Sequence, residues 1–132
     1  MHVVIRGPLH SRDDLKNDAE LGFKTIHCDE FETDGVDAIA ERVSERIGER
    51  PVYLSIDIDV LDPAHAPGTG TPEIAGLSSR ELLNLMRGSA GCNLVSANIV
   101  EVAPAYDHAE ITALAAATIA CEMTNFFATA KR

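Results

Sequence analysis

Residues 52–58, VYLSIDI, form an apolar run that only Ser55 and Asp57 interrupt. Its apolar residues do not alternate strictly with polar ones, which is typical of a strand that is buried on both faces. Strands of this kind occur in parallel sheets whose faces are covered by helices. This run therefore predicts a parallel α/β architecture before any other part of the chain is considered.

The rest of the chain alternates between apolar runs and amphipathic stretches, as a parallel sheet requires. Short apolar runs predict further strands at residues 3–5, 23–28 and 95–102. Helical spacing of apolar residues, with Ser or Asp at capping positions, predicts helices near residues 12–21, 36–47, 79–87 and 108–128. Strands that alternate with helices pair in parallel through crossover connections. We therefore expect one open α/β sheet.

The bulk composition is that of a globular protein, and the charge argues against one class of partner. The 132 residues suffice for one domain, or for part of one, and 45% are hydrophobic while 24% are charged. The net charge of −10 disfavours nucleic-acid binding, because neutralising phosphates needs a basic surface. We therefore expect no nucleic-acid partner.

A membrane span and an export signal are not expected either. No apolar stretch comes close to the ~20 uncharged residues that a membrane span needs. The first residues, MHVVIRGP, do not follow the pattern of a signal peptide. Cys28, Cys92 and Cys121 have no CxxC spacing and lie in apolar surroundings, so we expect buried free thiols in a reducing compartment. The expected location is the cytoplasm, with no membrane partner.

Acidic side chains stand where two of the predicted strands end. Asp57 and Asp59 close the run at residues 52–58, and Glu101 closes the run at residues 95–102. Ligands of open α/β sheets bind at the carboxyl ends of strands, so these carboxylates are expected to converge. In an extended segment Asp57 and Asp59 project from the same face, and they repel unless a cation lies between them. Such oxygen ligands favour Mg²⁺, Ca²⁺ or Mn²⁺.

Other interpretations of the DxD pattern were tested against the spacing. The acids could merely cap a strand and its turn, and for a DxD alone this interpretation stays open. An EF-hand loop that starts at Asp57 needs Gly and Glu where Asp62 and Gly68 stand. A phosphatase of the haloacid dehalogenase type also has a DxD after an apolar strand, but it needs a downstream lysine and a later acidic pair. After Asp59 the only lysine in the sequence is Lys131, so the spacing argues against this class of phosphatase.

Two longer motifs carry a resemblance to a known family. The stretch SIDIDVLDPAHAPGTGTP, at residues 55–72, is similar to the late signature of the ureohydrolases, which include arginase and agmatinase. The stretch EVAPAYDHAEITAL, at residues 101–114, is similar to the closing strand and helix of the agmatinase-like branch. A weaker match joins IRGPL at residues 5–9 with ELGF at residues 20–23. The resemblance implies that residues 1–132 are a single partial domain, the C-terminal half of a three-layer α/β/α fold with a mostly parallel sheet.

The resemblance also implies roles for four residues. Asp57 matches a carboxylate that bridges two manganese ions, and Asp59 matches a ligand of one of them, so both are implied as metal ligands and catalytic residues. Thr71 and Glu101 match positions near the guanidinium group of the substrate, where Glu101 would pair with its positive charge. In the family, water activated by the two ions attacks the guanidinium carbon and urea leaves. Asp62 is expected only to shape the loop.

The sequence also departs from the family pattern. The GGDHS-like and DxHxD motifs that supply the remaining metal ligands lie upstream in the family and do not occur in this sequence. His65, on the motif loop, and His108 are expected to be structural or to lie at the rim of the substrate site. Since two aspartates cannot hold two metal ions, we expect the chain alone to be inactive. It would then self-associate as a homo-oligomer or need the missing N-terminal half.

The expected function is that of an agmatinase-like hydrolase in polyamine metabolism. It would cleave a linear guanidino compound, either agmatine or a guanidino acid, to urea and an amine. Gly68 and the run Tyr106, Asp107, His108 favour this branch over arginase. The alternative from another class is a non-catalytic remnant of a truncated or split gene that acts as an assembly or binding module. The retained acids favour the enzyme, because carboxylates without a cation only repel each other.

Overall fold

The structure, a computed structural model, describes residues 1–11 and 13–129. Its strands are β1 His2–Ile5, β2 Thr25–His27, β3 Pro51–Asp57 and β4 Asn93–Val100. Its helices are α1 Asp14–Glu20, α2 Glu30–Asp34, α3 Val36–Ile47, α4 Ser79–Gly88 and α5 Ile111–Thr129. The predicted order of strands and helices is confirmed, and α2 is an element that the sequence did not predict. The predicted helix start at residue 12, and Lys131, lie outside the described residues.

The strands form two separate parallel pairs. β3 pairs with β4 along its whole length, so that Pro51 lies beside Asn93 and Asp57 beside Val100. β1 pairs with the shorter β2, and the register shifts at Val4, whose φ of 68° interrupts the strand geometry. Parallel pairing is as predicted. The expectation of one continuous sheet is wrong for the part of the chain that the structure describes, because β1 and β3 do not pair.

The core lies between the strands and a row of helices. Its most deeply buried apolar side chains are Ile26, Ile39, Ile58, Leu61 and Leu77. α3 contacts α4, α4 contacts α5, and α5 contacts β4, so these helices lie side by side.

Burial along β3 alternates. Ile56 is 7% exposed, whereas Tyr53 is 61% exposed. The prediction that this strand is buried on both faces is therefore wrong. Within residues 1–11 and 13–129, only the face that carries Ile56 is covered by other parts of the chain.

The last helix begins three residues later than predicted. Ala109 and Glu110 take left-handed φ angles of 55° and 57°, which a right-handed helix cannot include. The Asp107 carboxylate reaches across this turn and accepts hydrogen bonds from the N–H groups of Thr112, at 3.0 Å, and Ala113, at 2.9 Å. Asp107 thus satisfies N–H groups in the first turn of α5, which otherwise have no partner in the helix.

The predicted capping of α4 is confirmed. The Ser78 N–H donates to the Glu81 carboxylate at 2.8 Å, and the Glu81 N–H donates to the Ser78 hydroxyl at 3.2 Å. This reciprocal pair satisfies two donors that the helix itself leaves free. The long loop after β3 therefore ends at a well-defined helix start.

Helix α5 is long and apolar. By length and composition alone, its residues Ile111–Ala128, with a mean hydropathy of 1.4, could cross a membrane. The sequence-based statement that no apolar stretch comes close to a span was therefore too strong. In this fold α5 packs against α4 and β4, and its Glu122 accepts a hydrogen bond from Arg87 at 3.0 Å. Core helices of globular proteins meet the same criteria, but they are mostly buried, whereas 22% of this window is buried among the described residues.

The cysteines within the described residues are free thiols. Cys28 and Cys92 are half-buried, and burial raises the pKa of both thiols above its ordinary value. Cys121 is exposed on α5, so the prediction of a buried thiol is wrong at this position.

Candidate metal centre

The two candidate aspartates lie at the carboxyl end of β3. Asp57 ends the strand, and Asp59 lies in a short 3₁₀ helix, Ile58–Val60, that follows it. The alternation of side chains that holds in an extended strand therefore ends at Asp57. The turn nevertheless keeps the two acids together, because the Asp57 carboxylate accepts a hydrogen bond from the Asp59 N–H at 3.1 Å.

Asp57 is a crowded carboxylate. Burial raises the pKa of Asp57 above its ordinary value, and the charges of Asp59 and Glu101 raise it further, against the lowering effect of the Asp59 N–H. Three carboxylates thus act on one small region at the ends of two paired strands. A cation placed there would relieve their repulsion.

Glu101 reaches this region from the neighbouring strand. It leaves β4 with a φ of 61°, in the left-handed region that residues other than glycine rarely adopt. This turn ends the strand two residues before the predicted end at residue 102. The Glu101 atom Oε2 lies 3.8 Å from the position that a Cβ on Gly70 would occupy. Backbone strain at such a residue is typical of a functional constraint.

Thr71 lies in the same cluster, and its partner is an acid. Its hydroxyl donates a hydrogen bond of 2.9 Å to Asp59 Oδ2. The observed contact orients a candidate metal ligand, and the position near the substrate that the resemblance implied for Thr71 stays a prediction. The structure therefore brings Asp57, Asp59, Thr71 and Glu101 to the same end of the β3–β4 pair.

The loop that carries Thr71 is held by the start of α5. The Gly68 N–H donates to the fully buried hydroxyl of Thr112 at 2.7 Å, and the Gly68 carbonyl accepts from the Ala103 N–H at 2.8 Å. A Cβ on Gly68 would lie only 2.6 Å from the Asp107 Cβ. The close approach of the loop to α5 therefore requires glycine at this position.

Asp62 shapes the same loop. Its carboxylate accepts a hydrogen bond from the Ala64 N–H at 2.9 Å, which is the main reason that the pKa of Asp62 lies below its ordinary value. Its own N–H donates to the Leu77 carbonyl at 2.9 Å. The start and the end of the loop are therefore joined beneath the candidate site.

Arg6 is a residue of this site that sequence reasoning missed. It follows β1, and its guanidinium donates hydrogen bonds to the backbone carbonyls of Asp59 and, at 2.9 Å, of Glu73. A longer contact of 3.4 Å joins it to the Leu61 carbonyl. Arg6 thus holds the backbone of the segment that carries the candidate ligands. The available signal was an arginine directly after a strand, at the edge where strand ends meet.

The two histidines near the motifs do not join the acidic cluster. His65 lines a separate cavity of about 260 Å³ with Leu82 and Ile119. His108 is exposed in the turn before α5. The proposal that they are structural, or belong to the rim of a substrate site, stays a prediction.

The donor set suits part of a site for a hard divalent cation. Asp57 and Asp59 offer carboxylate oxygens, which Mg²⁺, Ca²⁺ and Mn²⁺ prefer. Within residues 1–11 and 13–129, no three His, Cys, Asp or Glu side chains are arranged to hold an ion. Because such ions take about six ligands, these residues fit a metal but supply only part of its coordination.

Comparison with known proteins gives consistent matches. The model of the arginase family matches residues 1–125. The chain is 49% identical over 123 residues to the agmatinase of Photorhabdus laumondii, and the match covers 93% of this chain but 38% of that protein. The chain therefore spans less than two thirds of the length of this relative.

Solved structures show the same fold. Proclavaminate amidino hydrolase from Streptomyces clavuligerus superposes with a TM-score of 0.92 at 43% identity, covering 98% of this chain and 43% of that one. Arginase from Bacillus caldovelox gives a TM-score of 0.79 at 30% identity, covering 98% and 42%. The predicted fold, mixed α/β with parallel strands, is confirmed.

Proposed function

Because the chain belongs to the arginase family, we propose that it forms one side of the active site of an agmatinase-like ureohydrolase. The reaction is hydrolysis of a linear guanidino compound, agmatine or a guanidino acid, to urea and an amine. One observation carries the proposal. Asp57, Asp59 and Glu101 lie at the carboxyl ends of two paired parallel strands, where ligands of α/β sheets bind, and the charges of Asp59 and Glu101 both act on Asp57.

Asp57 and Asp59 are the residues that would hold the metal. Arginase-family proteins are generally binuclear manganese enzymes. When bound, such an ion pair supplies Lewis acidity that activates water towards the guanidinium carbon. Thr71 orients the Asp59 carboxylate through its hydroxyl, and Arg6 holds the Asp59 backbone carbonyl. The chain thus positions its ligands before any ion binds.

Glu101 is the residue that would bind the substrate cation. Its carboxylate is exposed and takes part in none of the ion pairs formed within residues 1–11 and 13–129. A planar guanidinium pairs well with a carboxylate through two parallel hydrogen bonds. The strained backbone at Glu101 turns this side chain out of the strand at the site.

The proposed active site needs residues that this chain does not supply. Asp57 and Asp59 leave most of the coordination of two ions unfilled, and the P. laumondii relative is far longer than this chain. We therefore propose that the chain alone is inactive. Activity would come from association with the missing half, within a cytoplasmic homo-oligomer that serves polyamine metabolism.

The test combines calorimetry with an assay. The chain is mixed with the segment of the P. laumondii agmatinase that precedes the matched 123 residues. Manganese binding is measured by calorimetry, and urea release is measured with agmatine. Asp57→Asn should weaken manganese binding by at least the ~10-fold loss that follows removal of a ligand's outer-shell partner. Asp62→Asn, the same change on the loop that follows β3, should leave binding nearly unchanged.

Three results would count against the proposal. Urea release by the chain alone would show that the site is complete within one chain or its oligomer. Equal manganese binding by Asp57→Asn and Asp62→Asn would remove Asp57 from the metal site. A complex that forms but neither binds manganese nor releases urea would favour the assembly module.

A further inference from the structure

Two buried threonines near the candidate site differ in what their hydroxyls bind. Thr112, in the first turn of α5, is fully buried, and its Oγ1 accepts a hydrogen bond of 2.7 Å from the Gly68 N–H. Thr69, the residue after Gly68, is 3% exposed, and its hydroxyl has no hydrogen-bond partner within residues 1–11 and 13–129. The contact between the loop and α5 therefore depends on the hydroxyl of Thr112 and not on that of Thr69.

The hydroxyl of Thr112 is also engaged by Asp107. The Asp107 carboxylate accepts a hydrogen bond from the Thr112 N–H at 3.0 Å. Burial raises the pKa of Asp107, but the N–H groups of Thr112 and Ala113 and a side-chain hydrogen bond from Thr112 outweigh burial, so this pKa lies below its ordinary value. A hydroxyl can accept from the Gly68 N–H and donate to a carboxylate at the same time. A side chain of similar shape without a hydroxyl can do neither.

Gly68 connects this anchor to the segment that carries Glu101. The Gly68 carbonyl accepts a hydrogen bond of 2.8 Å from the N–H of Ala103, the second residue after Glu101. Glu101 has a φ of 61°, and a strained backbone of this kind persists only where the surrounding structure holds it. The hydrogen bonds from Thr112 through Gly68 to Ala103 hold the chain directly after the strained residue.

The same loop also reaches the proposed metal ligands. Thr71 follows Gly68 by three residues, and its hydroxyl donates to Asp59 Oδ2 at 2.9 Å. Gly70, between them, is close to the other acid, because Glu101 Oε2 lies 3.8 Å from the position of a Cβ on Gly70. One short segment therefore contacts both Asp59 and Glu101. Its position on α5 determines how these two carboxylates are spaced.

We propose that Thr112 is a positioning residue that sets the place of Glu101 relative to Asp59. Thr112 acts through Gly68, which it holds against α5. The roles of Glu101 and Asp59 in catalysis rest on the proposed function, whereas the hydrogen bonds that place them do not. A guanidinium bound by Glu101 must lie beside the activated water, and a misplacement of about 1 Å can cost about 100-fold in rate.

The first test measures the position of the loop in the chain alone. Thr112→Val removes the acceptor of the Gly68 N–H, and Thr112→Ser keeps it. Thr69→Val is the matched control, since it makes the same change at a buried hydroxyl without a described partner. The amides of Gly68 and Ala103 should exchange at least about fivefold faster in Thr112→Val, the effect of one lost hydrogen bond. Both other variants should stay within about twofold of the unmodified chain.

An NMR contact reports the position of Glu101 itself. The unmodified chain should show a nuclear Overhauser effect between the Gly70 Hα and Glu101 Hγ protons, because these residues lie close together. Thr112→Val should lose this effect, and Thr112→Ser and Thr69→Val should retain it. Should Thr112→Val fail to fold by circular dichroism, the unmodified chain decides: its Gly68 and Ala103 amides must then exchange as slowly as those of β4.

The second test measures turnover of agmatine by the chain mixed with the P. laumondii segment that precedes the matched region. Per manganese-loaded site, Thr112→Val should lower kcat at least about tenfold and raise KM, since the substrate is held out of place. Thr112→Ser should restore both values, and Thr69→Val should not change them. A merely structural role would instead reduce the number of loaded sites and leave kcat and KM per site unchanged.

Three outcomes would overturn the inference. Equal exchange of the Gly68 amide in Thr112→Val and in the unmodified chain would show that Thr112 does not hold the loop. A retained contact between Gly70 and Glu101 in Thr112→Val would show that Glu101 is placed by other interactions. Unchanged kcat and KM per loaded site would remove the positioning role. A mixture without urea release would refute the proposed function, while loss of the NMR contact in Thr112→Val alone would still support the placement of Glu101 by Thr112.

Discussion

The two edges of β3 contrast sharply. On one edge the strand pairs with β4 from Pro51 to Asp57, and the loop that follows is tied to α5 through Gly68. On the other edge β3 borders a groove and pairs with no strand of residues 1–11 and 13–129. The closed edge positions the acids of the candidate site. The open edge borders a groove that Asp57 and Asp59 also line.

Arg6 connects these two parts of the molecule. It belongs to the β1 side of the groove, yet its hydrogen bonds go to the backbone beyond β3. The groove is therefore bridged at the end where the acids lie. The following changes address the closed edge, the bridge and, as the smallest effect, a helix start that belongs to neither.

The largest effect is expected at Gly68. Gly68→Ala places a Cβ 2.6 Å from the Asp107 Cβ and 2.9 Å from the Thr112 hydroxyl, so the loop must move away from α5. We expect a loss of about 2–3 kcal/mol in the free energy of unfolding, measured with urea. Gly91→Ala is the control, because a Cβ there meets nothing within 4 Å. Equal stability of the two variants would show that the loop is not held at Gly68.

An intermediate effect is expected at Arg6. Arg6→Gln removes donors from the carbonyls of Asp59 and Glu73, and half-buried acceptors left without a partner cost about 1–3 kcal/mol. Hydrogen exchange of residues 59–73 should become faster, while exchange of β4 should not change. Arg42→Gln, which removes ion pairs between α3 and α2, serves as the control. If hydrogen exchange of residues 59–73 were as slow in Arg6→Gln as in the unmodified chain, Arg6 would not be what holds this segment in place.

The smallest effect is expected at the start of α4. Ser78→Ala removes the cap and should cost about 1 kcal/mol at pH 7. The Ser78 hydroxyl and N–H lower the pKa of Glu81 below its ordinary value of 4.5. A carboxyl whose folded pKa is lowered stabilises the fold above the unfolded pKa, and this stabilisation is lost as pH falls through the folded pKa.

Because the pKa of Glu81 is lowered in the folded chain, the effect of Ser78→Ala on stability depends on pH. The stability difference between the unmodified chain and Ser78→Ala should be present at neutral pH and should shrink as the pH falls below 4.5. Urea unfolding at a series of pH values measures it, with Ser79→Ala as the control for the neighbouring hydroxyl. A difference that grows towards low pH would contradict the assigned hydrogen bonds.

Local chemistry allowed much of this site to be predicted. The apolar run before Asp57 and the turn residues after it are sequence features, so the strand and the loop were expected at these positions. The capping pair Ser78 and Glu81 acts over three residues and was recognised for the same reason. The convergence of Glu101 with Asp57 followed from the general rule that strand ends carry ligands.

Longer-range contacts limited the prediction. Arg6 lies 53 residues before the carbonyl that it binds, and no local pattern links the two. The turn at Ile58 and the left-handed backbone at Glu101 depend on packing with the loop, so the predicted strands ran too far. The absence of pairing between β1 and β3 among the described residues depends on how distant segments pack, which neither strand encodes.

The sequence by itself therefore determined the order of the predicted strands and helices, the Ser78–Glu81 cap of α4 and the placement of acids at strand ends. These depend on interactions within a few residues and on the two periodicities of regular structure. The tertiary structure alone decided which carbonyls Arg6 holds, why position 68 excludes a Cβ, and that a groove separates β1 from β3. These features arise where segments distant in the chain meet, and their geometry is set by packing.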